Sequence, residues 1–259
     1  MLGLADDTGV RMNGGRAGAA EGPGAFRRAL TRYGTDRLHD RDWPRVFDAG
    51  DVTPGGDIHE THRRVTEAAG TILDLGLFPV AIGGGHDLTF AFVRAAAERR
   101  QALRGVSFDA HLDVREEVGS GMPFRALIEQ CGVAGVEVFG FSEMANSREH
   151  FSWFSEHGGV IRTDRELAKS FEAPGSGLFV SLDLDVIDMA FAPGVSAMNP
   201  CGWTAAEAEY AVRQAAACER VRCFDIMELN PAHDEGGRTA RLAAHLFLTF
   251  LHSFGDRRA

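Results

Sequence analysis

Three side chains able to bind a metal ion stand at alternate positions near the middle of this chain: Asp109, His111 and Asp113, in Ser107-Phe108-Asp109-Ala110-His111-Leu112-Asp113. The apolar run before them predicts a strand over 104–110, so they fall at its end. In extended backbone, residues two apart point to one side. The spacing therefore aims two carboxylates and an imidazole at one place. Groups crowded in this way repel or desolvate each other unless a cation compensates, and oxygen donors mixed with imidazole suit Mn2+ or a related divalent ion. A polar strand end with solvated side chains is the plainer alternative, and this stretch alone leaves it open.

The same pattern recurs. A strand predicted over 177–186 ends in Leu182-Asp183-Leu184-Asp185, which again sends two carboxylates to one side, while Asp188 has the wrong parity and reads as structural. A buried strand over 78–82 leads through Gly83-Gly84-Gly85 to His86. Neither GxGxxG nor GxxxxGK[ST] is present there, so the glycines read as a sharp turn presenting His86 and not as a phosphate loop. A last strand, 221–228, ends at Glu228. In open α/β sheets, sites form outside the carboxyl ends of the strands, so all these groups belong on one edge. Two histidines and four aspartates exceed the usual three protein ligands of a catalytic zinc. The number suggests two ions bridged by carboxylates, the arrangement that activates water in hydrolases. There is no GxSxG elbow and no cysteine beside a base, which argues against a covalent nucleophile.

The elements that must position these groups alternate along the chain. Helices are predicted over 25–33, 57–75, 88–100, 124–131, 146–157, 166–171, 205–218 and 238–251. Further strands are predicted over 45–50, 136–141 and 159–161. Thr204 and Glu207 form a capping-box pattern ahead of the seventh helix. His59 and His62 read as part of a solvated helix face. Alternating strands and helices without hairpin signals imply an α/β fold: three layers, α/β/α, around a mostly parallel sheet. With no linker and no internal repeat, residues 1–259 read as a single domain.

Composition limits the partners. Of 259 residues, 44% are hydrophobic and 25% charged, and the net charge is −10. That balance opposes nucleic-acid binding, which needs a basic face. No apolar run approaches the roughly 20 residues that span a bilayer, and the start lacks the features of a signal peptide. Four cysteines without a CxxC pair suggest a reducing compartment. A cytoplasmic protein is expected.

The motifs GGGHD (83–87), DAHLD (109–113), LDLDVID (182–188) and DIMELNP (225–231) together resemble the arginase/agmatinase ureohydrolase family. Asp113-Val114-Arg115, SGMPF (120–124), FAPGVSA (191–197) and DEGGRTARLAA (234–244) are similar to its formimidoylglutamase branch. The resemblance implies an arginase-like fold and two Mn2+ per chain. His86, Asp109, Asp113 and Asp183 would hold one ion, and Asp109, His111, Asp183 and Asp185 the other. Asp185, Glu228 and His111 would be catalytic. Asp185 would orient the attacking water and pass its proton on, and Glu228 would pair with a substrate amidinium. Arg115, Ser120, Asn13 and Arg16 would meet the rest of the substrate, with Arg115 reading its carboxylates and Arg16 and Arg125 weaker candidates for which surface salt bridging is the plainer role. The implied reaction is N-formimidoyl-L-glutamate plus water to L-glutamate plus formamide, in a homo-oligomer, trimer or hexamer. An agmatinase- or arginase-like guanidino hydrolase releasing urea is the rival, and an inactive metal-bound scaffold subunit the remote one. Arginases carry a histidine in the loop after DAHxD, and residues 116–122 contain none, which speaks against arginase proper. Met122 stands where the branch usually has threonine. Family members also have a strand before the first glycine loop, and only 1–4 precede it here, so a truncated or very short first strand is expected.

Overall fold

Alternation along the strands decides how the layers form. In the last strand Phe224 and Ile226 point into one hydrophobic cluster, and Cys223 and Met227 into another. The strand over 80–83 divides likewise, with Val80 and Ile82 against Ala81. A strand buried on both faces needs helices on both. The structure is a computed structural model and describes residues 1–34, 43–99, 102–255 and 257.

Eight strands, β1 (Leu2–Leu4), β2 (Asp51–Val52), β3 (Val80–Gly83), β4 (Leu103–Phe108), β5 (Val136–Phe139), β6 (Val160–Ile161), β7 (Gly177–Asp183) and β8 (Val221–Met227), are interleaved with nine helices among the described residues. The helices are α1 (Thr8–Met12), α2 (Gly22–Leu30), α3 (Ile58–Asp74), α4 (Asp87–Ala97), α5 (Pro123–Cys131), α6 (Arg148–Glu156), α7 (Leu167–Glu172), α8 (Ala205–Ala217) and α9 (Arg238–Gly255). The strands form one sheet in the order β2-β1-β3-β8-β7-β4-β5-β6. Every pairing is parallel. Helices α2, α7, α8 and α9 supply the core on one face, and α3, α4, α5 and α6 that on the other. The expected three-layer α/β architecture is therefore present. No helix among the described residues is long and apolar enough to cross a membrane.

Local signals in the sequence account for the helix starts. Asp57 accepts from the Glu60 N–H at 2.8 Å, capping α3. Thr204 and Glu207 make the expected capping box ahead of α8, which satisfies peptide N–H groups that have no partner inside the helix.

The structure departs from expectation at several strand ends. The predicted strand 45–50 is displaced: the regular pairing with β1 falls at Gly3↔Asp51 and Leu4↔Val52, and the residues before it only run alongside β1, with bonds from the Met1 amino group to the Phe47 carbonyl, from the Ala49 N–H to the Met1 carbonyl and from the Gly3 N–H to the Gly50 carbonyl. Strand β4 stops at Phe108, two residues short of prediction. Strand β7 stops at Asp183, and Leu184–Val186 forms a 3-10 turn. Arg100, the predicted end of α4, lies outside the described residues.

The glycines before His86 serve a backbone approach. The Gly84 N–H donates to the Leu4 carbonyl at 3.0 Å, and the Gly85 N–H to the Asp6 carbonyl at 2.9 Å. A β-carbon at Gly84 would run into the carbonyl oxygens of Asp6 and Leu4, which are backbone and cannot rotate away. Gly84→Ala is therefore expected to destabilise the fold by about 1–3 kcal/mol, read as a lower urea midpoint with an unchanged slope.

Candidate metal centre

Strand order places β3, β8, β7 and β4 side by side. The sheet changes direction here, since the chain passes from β3 to β4 across the positions later filled by β7 and β8, and such switch points are where α/β sheets form their sites. Neighbouring strands lie about 4.8 Å apart, so the ends of β3 and β4 are roughly 14 Å from each other. Yet His86 Nδ1, after β3, lies 2.7 Å from Asp113 Oδ2, after β4. The two loops curl inward over the ends of β8 and β7.

This corrects the sequence argument in one respect. Convergence does not come from the strand pleat, because Asp109, His111 and Asp113 all follow the end of β4, and Asp185 lies in the 3-10 turn. Two matched side-chain turns do the work. Asp109 Oδ1 accepts from the His111 N–H at 2.6 Å, and Asp183 Oδ1 from the Asp185 N–H at 2.8 Å. An aspartate bonded to the peptide two residues on folds the chain back and leaves its second oxygen for the site. Asp113 then adopts φ 47°, a left-handed conformation that costs a non-glycine residue roughly 1–3 kcal/mol and concentrates at functional positions.

The result is two groups of ligand-grade atoms. His86, Asp109, Asp113 and Asp183 form one and Asp109, His111 and Asp185 the other, with the ligand atoms of each group within 4.8 Å of one another. His86 Nδ1 lies 3.1 Å from Asp183 Oδ2 and 3.4 Å from Asp109 Oδ2. His111 Nδ1 lies 3.1 Å from Asp185 Oδ2 and 3.5 Å from Asp109 Oδ1. Asp109 is shared. Asp183, expected in both groups, stands in the first alone.

Burial makes this arrangement costly without a cation. Asp109, Asp183 and Asp185 are buried, as are His86 and Glu228. Burial, then the charge of Asp113, raises the Asp109 carboxyl well above its usual range. Burial and the charge of Asp185 raise Asp183 to about 6. Burial pulls His86 down, but the carboxylates of Asp113 and Asp183 overcome it and hold the imidazole well above its ordinary value. The Asp185 charge raises His111 against its burial. Three oxygens here are buried without a hydrogen-bond partner: Asp109 Oδ2, Asp185 Oδ1 and Glu228 Oε2. Orphaned carboxylate oxygens beside two imidazoles are the donor set a divalent cation satisfies, so the residues fit a metal pair.

Glu228 follows β8 in the left-handed conformation, φ 66°. Its Oε1 accepts from the His86 N–H at 2.8 Å. Burial and then the charge of Asp183 raise its pKa well above the ordinary value.

Two participants escaped the sequence reading. His86 Nε2 lies 3.0 Å from Ser181 Oγ, and Ser181 Oγ donates to Asp225 Oδ1 at 2.6 Å. A hydroxyl has one proton, and Asp225 takes it, so Nε2 of His86 is the donor. That leaves Nδ1 turned to the carboxylates, the tautomer a ligand needs. Asp225 is wholly buried, and burial pushes it up to about 7 against the Ser181 bond. The available signal was polarity inside buried strands, Ser181 in Phe-Val-Ser-Leu and Asp225 in Phe-Asp-Ile. His62 also differs from expectation. It is buried, not solvated, and its Nε2 lies 2.8 Å from Asp87 Oδ2, directly after His86, because α3 packs that face against α4.

The residues expected to meet substrate are placed as follows. Arg16 gives its guanidinium to the carbonyls of Pro193, Val195 and Ser196, so it braces a loop. Asn13 Oδ1 accepts from Ser120 Oγ at 3.2 Å and from the Gly121 N–H at 2.8 Å, tying the opening loop to the loop after DAHLD. Arg125 is paired with Glu129 and Glu116. Arg115 is exposed, has no ion-pair partner among the described residues, and lines a cavity of about 560 Å³ with residues of α3, α4 and α5.

The Arginase family model matches residues 2–252. A formimidoylglutamase from Aromatoleum aromaticum is 36% identical over 95% of this chain and 80% of its own. One from Aeromonas hydrophila is 35% identical over 95% and 84%. The crystal structure of Trypanosoma cruzi formiminoglutamase with Mn2+ superimposes with a TM-score of 0.92 at 31% identity, covering 99% of this chain and 93% of that one.

The pKa directions determine a pH dependence. Asp183, at about 6, and Asp225, at about 7, are raised above their unfolded values. Their contribution to stability is complete below about pH 4 and is lost as pH rises through 6 and 7. His86 and His111, also raised, act in the same sense. In EDTA the melting temperature should therefore fall between pH 5 and pH 8. Ligands must deprotonate to bind, so the increment on adding Mn2+ should be larger at pH 8 than at pH 5.

Proposed function

The chain belongs to the arginase family, and from that premise we infer a binuclear manganese hydrolase that cleaves N-formimidoyl-L-glutamate and water to L-glutamate and formamide. It is formimidoylglutamase-like throughout its length. The observation that carries the reading is the pair of ligand groups sharing Asp109 at the ends of β3, β4 and β7.

His86, Asp109, Asp113 and Asp183 would hold one ion. Asp109, His111 and Asp185 would hold the second, with Asp183 beside it through the peptide of Asp185. When bound, the ion pair supplies water activated for attack at neutral pH. The chain's own groups do the rest. Asp185, with one oxygen unpartnered, orients that water and passes its proton toward the leaving nitrogen. Glu228, also with a free oxygen, receives the N–H groups of the amidinium through charge-assisted bonds; the substrate cation then offsets the burial that raises its pKa. Arg115 supplies the cation for the substrate's carboxylates, since its planar fork suits them and no carboxylate among the described residues claims it. Arg16, Asn13 and Ser120 act by holding the loops that form the mouth. The absence of a disulfide among the described residues is in keeping with a cytoplasmic enzyme.

Offered N-formimidoyl-L-glutamate, agmatine and arginine with Mn2+, the protein should release formamide from the first and no urea from the others. Urea release would move the assignment to a guanidino hydrolase, and inertness toward all three would favour a scaffold. Asp113→Ala should lose manganese and activity together. Arg115→Ala should keep its manganese and raise KM about tenfold or more, the loss of roughly 1.4 kcal/mol or more from a charge-assisted contact.

A further inference from the structure

Among the described residues, no strand runs beside the ligand loop after β4. Its ladder to β7 ends at Phe108↔Leu182, and that to β5 at Phe108↔Phe139. One more bond, from the Asp109 N–H to the Phe139 carbonyl at 2.9 Å, continues it. Beyond that β5 turns away at Gly140, φ 84°. Ala110 and Leu112, on either side of His111, are nonetheless buried, at 2% and 0% exposure. Buried peptide groups must find partners, and the ladder no longer provides them.

Asn146, in the loop between β5 and α6, provides one for the Leu112 N–H and shares that for the Ala110 carbonyl with a backbone N–H. Its Oδ1 accepts from the Leu112 N–H at 2.9 Å, and its Nδ2 donates to the Ala110 carbonyl at 2.9 Å and to the Ser142 carbonyl at 2.8 Å. The Ala110 carbonyl also accepts from the Ser142 N–H at 3.0 Å. The side-chain amide thus stands in for a peptide group: it supplies the acceptor for the Leu112 N–H and a second donor for the Ala110 carbonyl, beside the backbone bond from Ser142. Only one amide orientation satisfies all three bonds. The two peptides it holds flank His111, whose Nδ1 faces Asp185 and Asp109.

We propose that Asn146 is a positioning residue for the second metal group, clamping the peptides on both sides of His111 so that its imidazole meets Asp109 and Asp185. The inference rests on the binuclear reading above. It differs from the Ser181–Asp225 pair, which orients His86 in the first group, so the two groups are held by separate devices.

The test is a Mn2+ titration of EDTA-stripped protein, by calorimetry and by electron paramagnetic resonance, on wild type, Asn146→Leu and Asn146→Asp. Leucine keeps the branched outline and removes all three bonds. Aspartate keeps the shape and the bond from Leu112, but sets an oxygen against the carbonyls of Ala110 and Ser142. Outer partners of metal ligands are worth about 10–100-fold in affinity. Both variants should bind one of the two ions about 10–100-fold less tightly, keep the wild-type affinity for the other, and lose the spin-coupled signal at two equivalents. kcat should fall at limiting Mn2+ and recover at high Mn2+, with KM for the amidine within twofold. Wild-type affinity for both ions in either folded variant would overturn the proposal, as would equal loss of both ions. Should the leucine variant fail to fold by circular dichroism, the aspartate variant decides by the same criteria. A wild type that takes up only one ion would instead sink the binuclear reading on which the proposal rests.

Discussion

Carboxylates buried against one another are the constraint on which this molecule is organised. Asp109, Asp183 and Asp185 share a space closed to solvent, with Asp113 at its edge and Glu228 behind. Among the described residues, two imidazoles face them. Like charges at this range, in a medium less polar than water, cannot all remain ionised. The protein can hold protons, or it can hold cations. The raised carboxyls and imidazoles describe the first state. The unpartnered oxygens of Asp109, Asp185 and Glu228 point to the second. Metal ligands must lose their protons to bind an ion, so a cation taken up by these groups would displace the protons that burial otherwise imposes.

Much of the surrounding structure serves to keep those groups together against their repulsion. The central strands β3, β8, β7 and β4 end on one edge and form the platform. The side-chain turns at Asp109 and Asp183 then fold the chain back over it. Left-handed backbone at Asp113 and Glu228 shows that the site accepts local strain, which the hydrophobic layers on both faces of the sheet can carry. Each imidazole also has its own support. Ser181 and Asp225 orient His86 from inside the sheet, and Asn146 ties down the peptides around His111 from outside it.

The mouth is built by cross-bracing between loops. Arg16 binds the carbonyls of the 193–196 segment, and Asn230 binds the carbonyls of Arg16 and Ala17. Asn13 binds the 120–121 segment. Polar residues that a linear reading assigns to substrate are here engaged with backbone. Buried or half-buried carbonyls need donors as much as a ligand does, and a long arginine reaching several carbonyls at once satisfies them efficiently.

How much of this was legible in the chain follows from the range of each interaction. The seven groups of the centre were visible from residue type and from their places just after apolar strands, since strand burial and donor chemistry are local properties. The layered parallel fold followed from the alternation of elements, and the capping box at Thr204 from two residues three apart. What failed was the geometry beyond each strand end. Alternate spacing suggested a pleat, whereas Asx turns and left-handed residues bring the ligands together. Ser181, Asp225 and Asn146 were invisible as participants because their roles depend on partners 34 to 95 residues away. The orientation of Arg16 and Arg115 was equally undetermined, because a guanidinium goes to whichever acceptors the packed loops present. The sequence by itself determined which chemistry the chain can carry and on which edge of the sheet. Tertiary structure alone decided which oxygen faces which imidazole, because that choice is made by loop closure and by hydrogen bonds between segments far apart in the chain.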